Sequence, residues 1–516
     1  MPGRRTPGHP AITRPDGEGD QSMRAYRTLL ALSVCLLPLS GCITVGPDYQ
    51  APASPAAAGA AFTRAGIAPG SAAIKAADML KAEEPLEEWW RQLGDPVLDQ
   101  LVADAVKANL DLKAADAAVR AARAEAEAVG ARNLPSLGAS ASYSRARAAA
   151  ATQQGQPNAQ LPDSNVTTAG GSLSWEIDLF GQVRRAIEAA EADSARAEAL
   201  RHQVLTVIIA DVASTYVDLR GAQLRLSVAL RNAENQRGTF DLTHTLSDAG
   251  RGTDLDIARA QAQLETTLAS IPPLRATVAA DEHILATLTG REPGALLSLL
   301  DAPAPLPDLP DSVAVGTPAT LLGRRADVAA AERALAAATA RIGVATADLY
   351  PKISLTGSVG VQALQPGDLG ARGAFTYGIG PSISLPLFDA ALYARIREAN
   401  ANTDQAAANF QKAVLTAWQE AETALARYAQ ERSRRASLDT AAAASTRAAS
   451  LAATRYRYGA DNFLTVLDAQ RTQLEAEDQL AQSRIQVAQD LVATYRALGG
   501  GWTVSRDVAP DMADAR

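Results

Sequence analysis

Residues 175–200, WEIDLFGQVRRAIEAAEADSARAEAL, change period part-way along. Trp175, Ile177 and Leu179 are apolar and alternate with Glu176 and Asp178, the period-2 pattern of a strand with two unlike faces. The spacing places the apolar three on one side and the two carboxylates towards water on the other. After Gly181 the pattern is helical, and no Gly or Pro interrupts it until Gly221. A two-faced strand thus runs directly into a very long helix. Composition agrees with a long, thin, helix-rich shape: aromatics are only 4% of 516 residues and Ala dominates, so bulky core-formers are scarce.

The chain repeats itself. At an offset of 216, NLDLKAADAAVRAARAEAEAVGARNLPSL (109–137) aligns without gaps to RADVAAAERALAAATARIGVATADLYPKI (325–353), pairing Asp111 with Asp327 and Pro135 with Pro351. At an offset of 209, GRGTDLDIARAQ from Gly250 meets GADNFLTVLDAQ from Gly459. Each half reads as helix, Pro, strand, polar loop, strand, very long helix, Gly-containing turn and helix. Residues 86–300 form the first repeat, the Pro-rich 301–318 the linker, and 319–502 the second repeat, with 503–516 a disordered tail.

Four strands result. Leu137, Ala139, Ala141 and Tyr143 alternate with serines, Leu173 precedes the opening triplet, Ile353, Leu355, Val359 and Val361 alternate with Ser354, Thr356 and Ser358, and Tyr377, Ile379, Ile383 and Leu385 alternate with Thr376, Gly380, Ser382 and Ser384. Each is about the 9 to 11 residues that cross a bilayer, with a hydroxylated face for a lumen and an apolar face for lipid. An ordinary sheet on a core explains the alternation but not the small, hydroxylated opposite face. Four strands cannot close a barrel, because an open edge in lipid leaves backbone groups unsatisfied. Two chains give eight strands around a filled interior, whereas three give twelve and leave a passage. Three is the reading adopted. From Asp389 to Tyr458 no Gly or Pro occurs, a helix of roughly 100 Å at 1.5 Å per residue. The fold class is therefore an α+β membrane protein: a trimeric 12-stranded barrel continued by a long periplasmic α-helical barrel. The loops 146–165 and 362–374 face outside.

The N-terminus supplies the address. From Met23, MRAYRTLLALSVCLLPLSGC has a basic start and an apolar run too short to span a bilayer, which is a secretory signal. Leu39, Ser40 and Gly41 before Cys42 resemble the bacterial lipobox, a signal-peptidase box, which implies that residues 1–41 are removed, with Met23 the expected true start, and that Cys42 becomes an acylated first residue. Residues 42–85 follow as a tether, and order is expected to begin near PLEEWW, where Trp89 and Trp90 pack the helix start. Cys35 leaves with the signal, so no intrachain disulfide is possible. Loss of five Arg and three acidic residues moves the formal charge from −8 to −10, which argues against nucleic acid as a partner.

Catalysis finds no constellation. The four histidines (His9, His202, His244 and His283) lie far apart, with no HExxH, CxxC, Walker loop or GxGxxG. The expectation is no enzyme, no metal and no cofactor beyond the lipid on Cys42.

Several motifs carry a resemblance: CITVGPDY at 42, WWRQLGDPVLDQL at 89, LSWEIDLFGQVRR at 173, LLGRRADVAAAERALAAATARIGVATADLYPKISLTGS at 321, GPSISLPLFD at 380, YRYGADNFLTVLDAQR at 456 and LGGGW at 498. Together they resemble the TolC-like outer membrane factors, in their OprM-like or NodT-like lipoprotein efflux branch. The resemblance implies a homotrimer that serves as the passive exit duct of a tripartite pump, docked on a periplasmic adaptor and an inner-membrane transporter of the resistance-nodulation-division type. It also implies a periplasmic gate at Leu464 and Asp468, which are four residues apart on one helix face. Three Asp468 carboxylates near a threefold axis would repel one another and draw in cations. The alternative is that Asp468 pairs with Arg471 and Leu464 packs in a stripe. Gly250, Gly252, Tyr456 and Gly459 are the adaptor-docking tips on this reading. Two departures stand out: Ala326 replaces a Pro common in the family, which should loosen one helix start, and AALY follows LPLFD in place of a Gly-Gly-Arg run. A type I protein-secretion duct and a lipid-anchored periplasmic coiled-coil adaptor remain as alternatives.

Overall fold

The structure is a computed structural model that describes residues 44–52, 62, 80–81, 87–147, 149, 162–310 and 312–502. The signal segment and its box, Cys42, most of the tether, the outer loop at 148 and 150–161 and the tail 503–516 lie outside the described residues.

Two short helices lead in. Asp95 starts α1 (Pro96–Ala108), its carboxylate accepting from the Val97 and Leu98 N–H groups, and the Asn109 amide oxygen accepts from the Asp111 and Leu112 N–H groups to start α2 (Leu110–Gly130). Strands β2 (Ser136–Ala146) and β3 (Ser164–Ile177) follow, β1 (Leu80–Lys81) having come earlier. Then α3 runs 67 residues from Gln182 to Asp248. It passes through Gly221 and Gly238 without a break. Gly221 serves packing here: a Cβ on it would fall 2.4 Å from Ile485 Cγ1, so the glycine lets two helices touch.

The descending leg returns as α4 (Asp254–Ala269) and α5 (Ile271–Leu288), and α6 (Leu297–Leu300) and β4 (Val313–Ala314) lead into the second half. That half contains α7 (Pro318–Arg324), α8 (Ala326–Ala347), β5 (Lys352–Ala363), β6 (Phe375–Ser384), the 68-residue α9 (Ala390–Arg457) and α10 (Phe463–Ala497). The duplication is visible in the backbone: α2 and α8, like β2 and β5, start 216 positions apart, and α4 and α10 start 209 apart. The halves differ on the return leg. Pro272 and Pro273 supply no N–H, so the first half restarts its helix after Ser270 where the single helix α10 runs unbroken.

Two further expectations are corrected. Order does not begin near residue 86, because Val45 is buried and Leu80–Lys81 pairs in parallel with Val313–Ala314 of the linker. Asp178 does not project from a strand: β3 ends at Ile177, and the Asp178 carboxylate accepts from the Arg184 N–H at 2.9 Å, helping to start α3. At the Ala326 departure, α8 begins with no side-chain cap, while the neighbouring Arg325 guanidinium is held by Asp327 and Glu420.

The main core is a girdle half-way down the long helices. It joins α1, the middle of α3, α5 to α7, the middle of α9 and the end of α10. Trp89 stacks on Tyr495 with ring centroids 5.0 Å apart and Trp90 meets its edge, so both tryptophans pack as expected. Gly500 lies so close that a Cβ would come within 2.9 Å of the Trp89 ring, which accounts for one glycine of LGGGW.

The girdle also holds a strained carboxylate. Burial, together with the charges of Asp218 and Glu282, pushes Asp281 up to about 6, and its Oδ2 has no hydrogen-bond partner. A carboxyl group raised in the folded state leaves stability intact at low pH and costs stability as pH rises from about 4 to about 6. Asp281→Asn is therefore expected to stabilise the protein by about 2 kcal/mol at pH 7.5 and not at pH 4. Thermal melts at the two pH values check this; an equal shift at both would contradict it.

Candidate channel site

The four-stranded sheet, ordered β2-β3-β5-β6 and antiparallel throughout, sets its two faces by register. Side chains opposite one another across strands share a face. One face carries the rows Ile177–Ile353–Ile383, Trp175–Leu355–Pro381, Leu137–Leu173–Gly357–Ile379, Ala139–Gly171–Val359–Tyr377 and Ala141–Ala169–Val361–Phe375. The other carries Glu176–Ser354–Ser382, Ser136–Ser174–Thr356–Gly380, Gly138–Ser172–Ser358–Gly378 and Ser142–Thr168–Gln362. Leu137, Tyr377, Ile379 and Ile383 stand exposed on the apolar side. An apolar band of this extent belongs in lipid, and Tyr143, Phe375 and Tyr377 near one end with Trp175 near the other form its aromatic rims. Ser142 and Thr168 hydroxyls bond at 2.6 Å on the polar side, so hydroxyls satisfy one another while they wet the wall. Among the described residues no helix is long and apolar enough to cross a membrane.

At the strand-to-helix junction an N-terminal strap is pinned. Val45 N–H donates to Phe180 O at 3.1 Å. The buried Arg185 guanidinium donates to Val45 O and Gly46 O at 3.2 Å each, to Asp48 Oδ1 at 2.6 Å and to Glu188 Oε2 at 2.7 Å. Tyr49 OH donates to Glu332 Oε1 at 3.0 Å. Gly46, at φ +91, touches Gly343 of α8 backbone to backbone: a Cβ would fall 2.4 Å from the Gly343 Cα. The sequence signal for this strap was VGPDY, legible as a motif but not as a contact.

At the far end two turns meet. Gly250 and Gly459 adopt φ +72 and +71, and Thr253 and Asn462 cap the following helices through Asp256 N and Thr465 N. The two tips are neighbours, since a Cβ on Gly459 would lie 2.6 Å from Arg251 Nη2. Gly252 abuts the Ser247 backbone. Tyr456 is buried against Phe463, ring centroids 5.7 Å apart, with Val466 and Ala452 around it, so it holds the tip together while Tyr458 is exposed beside it. Gly459→Ala is expected to destabilise the tip locally by about 1 kcal/mol, because a Cβ is disfavoured at positive φ and meets Arg251. Hydrogen exchange should quicken over residues 450–465 with the girdle unchanged; unaltered exchange there would count against it.

Leu464 and Asp468 occupy the first turns of α10. Leu464 is 54% exposed. Asp468 Oδ1 accepts from Arg471 Nη2 at 3.0 Å, with both side chains largely in solvent. The ion pair of the plainer reading is present, and the leucine that would form a dry ring is uncovered.

These features have relatives. The family described as outer membrane efflux protein matches residues 101–291 and, again, 317–500. The chain belongs to that family. It is 32% identical over 494 residues to nodulation protein T of Rhizobium leguminosarum bv. viciae, covering 95% of this chain and 96% of that one. It is 32% identical over 480 residues to the antibiotic efflux pump outer membrane protein ArpC of Pseudomonas putida, covering 92% and 96%. The solved outer-membrane channel OprN matches 89% of this chain and 99% of its own with a TM-score of 0.81 at 40% identity. As a family member the chain has the TolC-like fold, with a four-stranded sheet that runs into long helices, and it is the outer membrane channel component of an efflux pump. That the family profile fits each half separately accords with the internal duplication.

Proposed function

We propose that three copies form the passive exit duct of a tripartite pump, carrying small molecules across periplasm and outer membrane with no catalytic step, in company with a periplasmic adaptor and an inner-membrane transporter of the resistance-nodulation-division type. The observation that carries this reading is the direct run of a two-faced strand into a helix of 67 or 68 residues in each half. Such a helix is roughly 100 Å long, so lumen and helical barrel make one tube that no adaptor hairpin supplies. The strap supports a lipid on Cys42: Thr44 lies against Gly181, at the end of the helices next to the barrel, so acyl chains two residues upstream would enter the adjacent leaflet. Each buried methylene contributes about 0.8 kcal/mol, and several chains make the anchor stable.

The tips around Gly250, Gly252, Tyr456 and Gly459 meet the adaptor on this reading, and Leu464 with Asp468 narrows the periplasmic mouth. Single-channel conductance and native mass of the purified protein in lipid test the duct. A trimer with a small, mostly closed conductance supports it; a non-conducting monomer would sink it. Photo-crosslinkers at Arg251 and Tyr458 should capture a periplasmic adaptor, whereas capture solely from the 362–374 loop would refute the docking assignment.

A further inference from the structure

The apolar face of the sheet ends, on the side away from the helices, in a pair of arginines. Read from the helix end, β2 places Leu137, Ala139, Ala141 and Tyr143 on that face, and the same alternation continues with Arg145 in the strand and Arg147 just past it. The partners on β3 change in step: Ala141 faces Ala169, Tyr143 faces Thr167 and Arg145 faces Asn165. The Tyr143 hydroxyl donates to Asn165 Oδ1 at 3.3 Å, so the ring has an apolar body and a polar tip, as aromatic residues do at the headgroup level of a bilayer. Arg145 stands two residues further, about 7 Å along the strand. One carboxylate holds both arginines. Arg145 Nε and Nη2 donate to Asp163 Oδ2 at 3.1 and 2.8 Å, and Arg147 Nε donates to Asp163 Oδ1 at 2.6 Å. Two positive charges thus share one negative one. A guanidinium has five N–H groups, of which Asp163 takes two from Arg145 and one from Arg147. The arginine side chains are 63% and 61% exposed and that of Asp163 only 30%, so the cationic groups are the ones presented outward. Ion pairs as exposed as these add little to stability, so the fold itself gives no reason for them.

We propose that Arg145 and Arg147 bind the phosphate headgroup of an outer-leaflet lipid, whose acyl chains lie along the apolar face beneath them. This rests on reading that face as the one turned to lipid. Two planar forks fit the oxygens of a phosphate, and basic side chains at a membrane surface are drawn to anionic headgroups. The phosphate belongs to a lipid because the arginines stand next to uncovered apolar side chains, Tyr143 and Leu137 on the same strand being exposed. Further along the same face Gly171 and Gly357 carry no side chain, and a groove of about 400 Å³ opens there between Leu173, Val359, Tyr377 and Ile379. Such a groove gives a chain of methylenes a seat that an even wall does not. Asp163 serves as a positioning residue that keeps the two forks side by side.

The full-length protein in neutral detergent is titrated with a glucosamine-based lipid that carries phosphate groups, and with the dephosphorylated form of the same lipid, and bound lipid is counted by native mass spectrometry. Wild type is expected to bind the phosphorylated form more tightly. Arg145→Gln with Arg147→Gln should lose roughly thirtyfold in affinity for it, about fivefold for each arginine, and bind the dephosphorylated form as wild type does. Arg372→Gln, which removes the other arginine among the described residues at that end, should leave both affinities unchanged. Excess inorganic phosphate at constant ionic strength should leave the lipid bound. Equal affinity of wild type for the two lipids overturns the site and needs no variant to fold. A loss from Arg372→Gln as large as that from the pair means that net charge holds the lipid, and it also overturns the site. Complete displacement by inorganic phosphate makes a free anion the ligand and overturns the lipid assignment. Wild type that does not insert into phosphatidylcholine bilayers overturns the reading of the face itself, whereas insertion without preference for phosphate overturns the site alone.

Discussion

Arg220→Met is expected to lower the stability of the folded chain by about 3–5 kcal/mol, because several buried acceptors lose their donor at about 1–3 kcal/mol each. Arg220 is 2% exposed in the middle of α3. Its guanidinium donates to Tyr216 OH at 3.1 Å, Gln223 Oε1 at 2.8 Å, Leu300 O at 3.3 Å and Ala302 O at 2.9 Å. Tyr216 OH in turn donates to Asp95 Oδ2 at 2.7 Å, and Asp95 caps α1. One side chain therefore ties the first helix, the long helix and the first residues of the linker between halves. Methionine fills much of the volume and supplies no donor, so buried acceptors lose partners and each costs about 1–3 kcal/mol. The carboxyl of Glu282, already raised by burial and by Asp301, also loses a compensating cation. Melting temperature and elastase cleavage at the small apolar residues of 312–316 report the loss. Arg220→Lys should fall between, since an ammonium keeps charge but not the planar fork. A melting temperature within a degree of wild type for Met would show that the network is dispensable.

The largest functional effect is expected from Leu464→Ala combined with Asp468→Ala: single-channel conductance should rise several-fold, and cells producing the variant should become permeable to bulky polar compounds. On the proposed reading, three exposed leucines face one axis as a hydrophobic constriction that gates by excluding water, and three carboxylates one turn further set its charge. Because Asp468 is paired with Arg471 in its own helix, the charge seen by a passing ion depends on that partner. Arg471→Ala should thus increase cation preference without widening the mouth, read as a shift in reversal potential under a salt gradient. Unchanged conductance in the double variant would place the narrowest point elsewhere and return Asp468 to an ordinary helix-surface ion pair.

Much of the architecture was legible because it follows from period and punctuation. The alternation at 137–143 and 353–361, and the Gly- and Pro-free stretch after Asp389, translate directly into β2, β5 and α9. The tips were legible because Gly250 and Gly459 must adopt positive φ and recur at one offset. Contacts between distant segments were not. Gly221 looked like a boundary, yet it is a packing glycine whose reason, Ile485, lies far along the chain. Tyr456 looked like a tip residue from its place beside the turn, and only the fold shows its ring turned inwards onto Phe463. Arg185 was one of many arginines in a helical run, and nothing local marks it as the hub that gathers Val45, Gly46 and Asp48.

The strap has a consequence for the order in which the protein can be made. Val45 meets Phe180 in the first half, but Gly46 rests on Gly343 and Tyr49 on Glu332, both in the second. A chain that emerges amino end first completes these two contacts only after nearly three hundred further residues have followed, and such distant closures are slow. The strap's complete seat therefore exists only once both halves have folded against each other. Seating of the strap on Gly343 and Glu332 then reports completion of the subunit, and a chain halted before α8 would hold its strap through Phe180 and Arg185 alone.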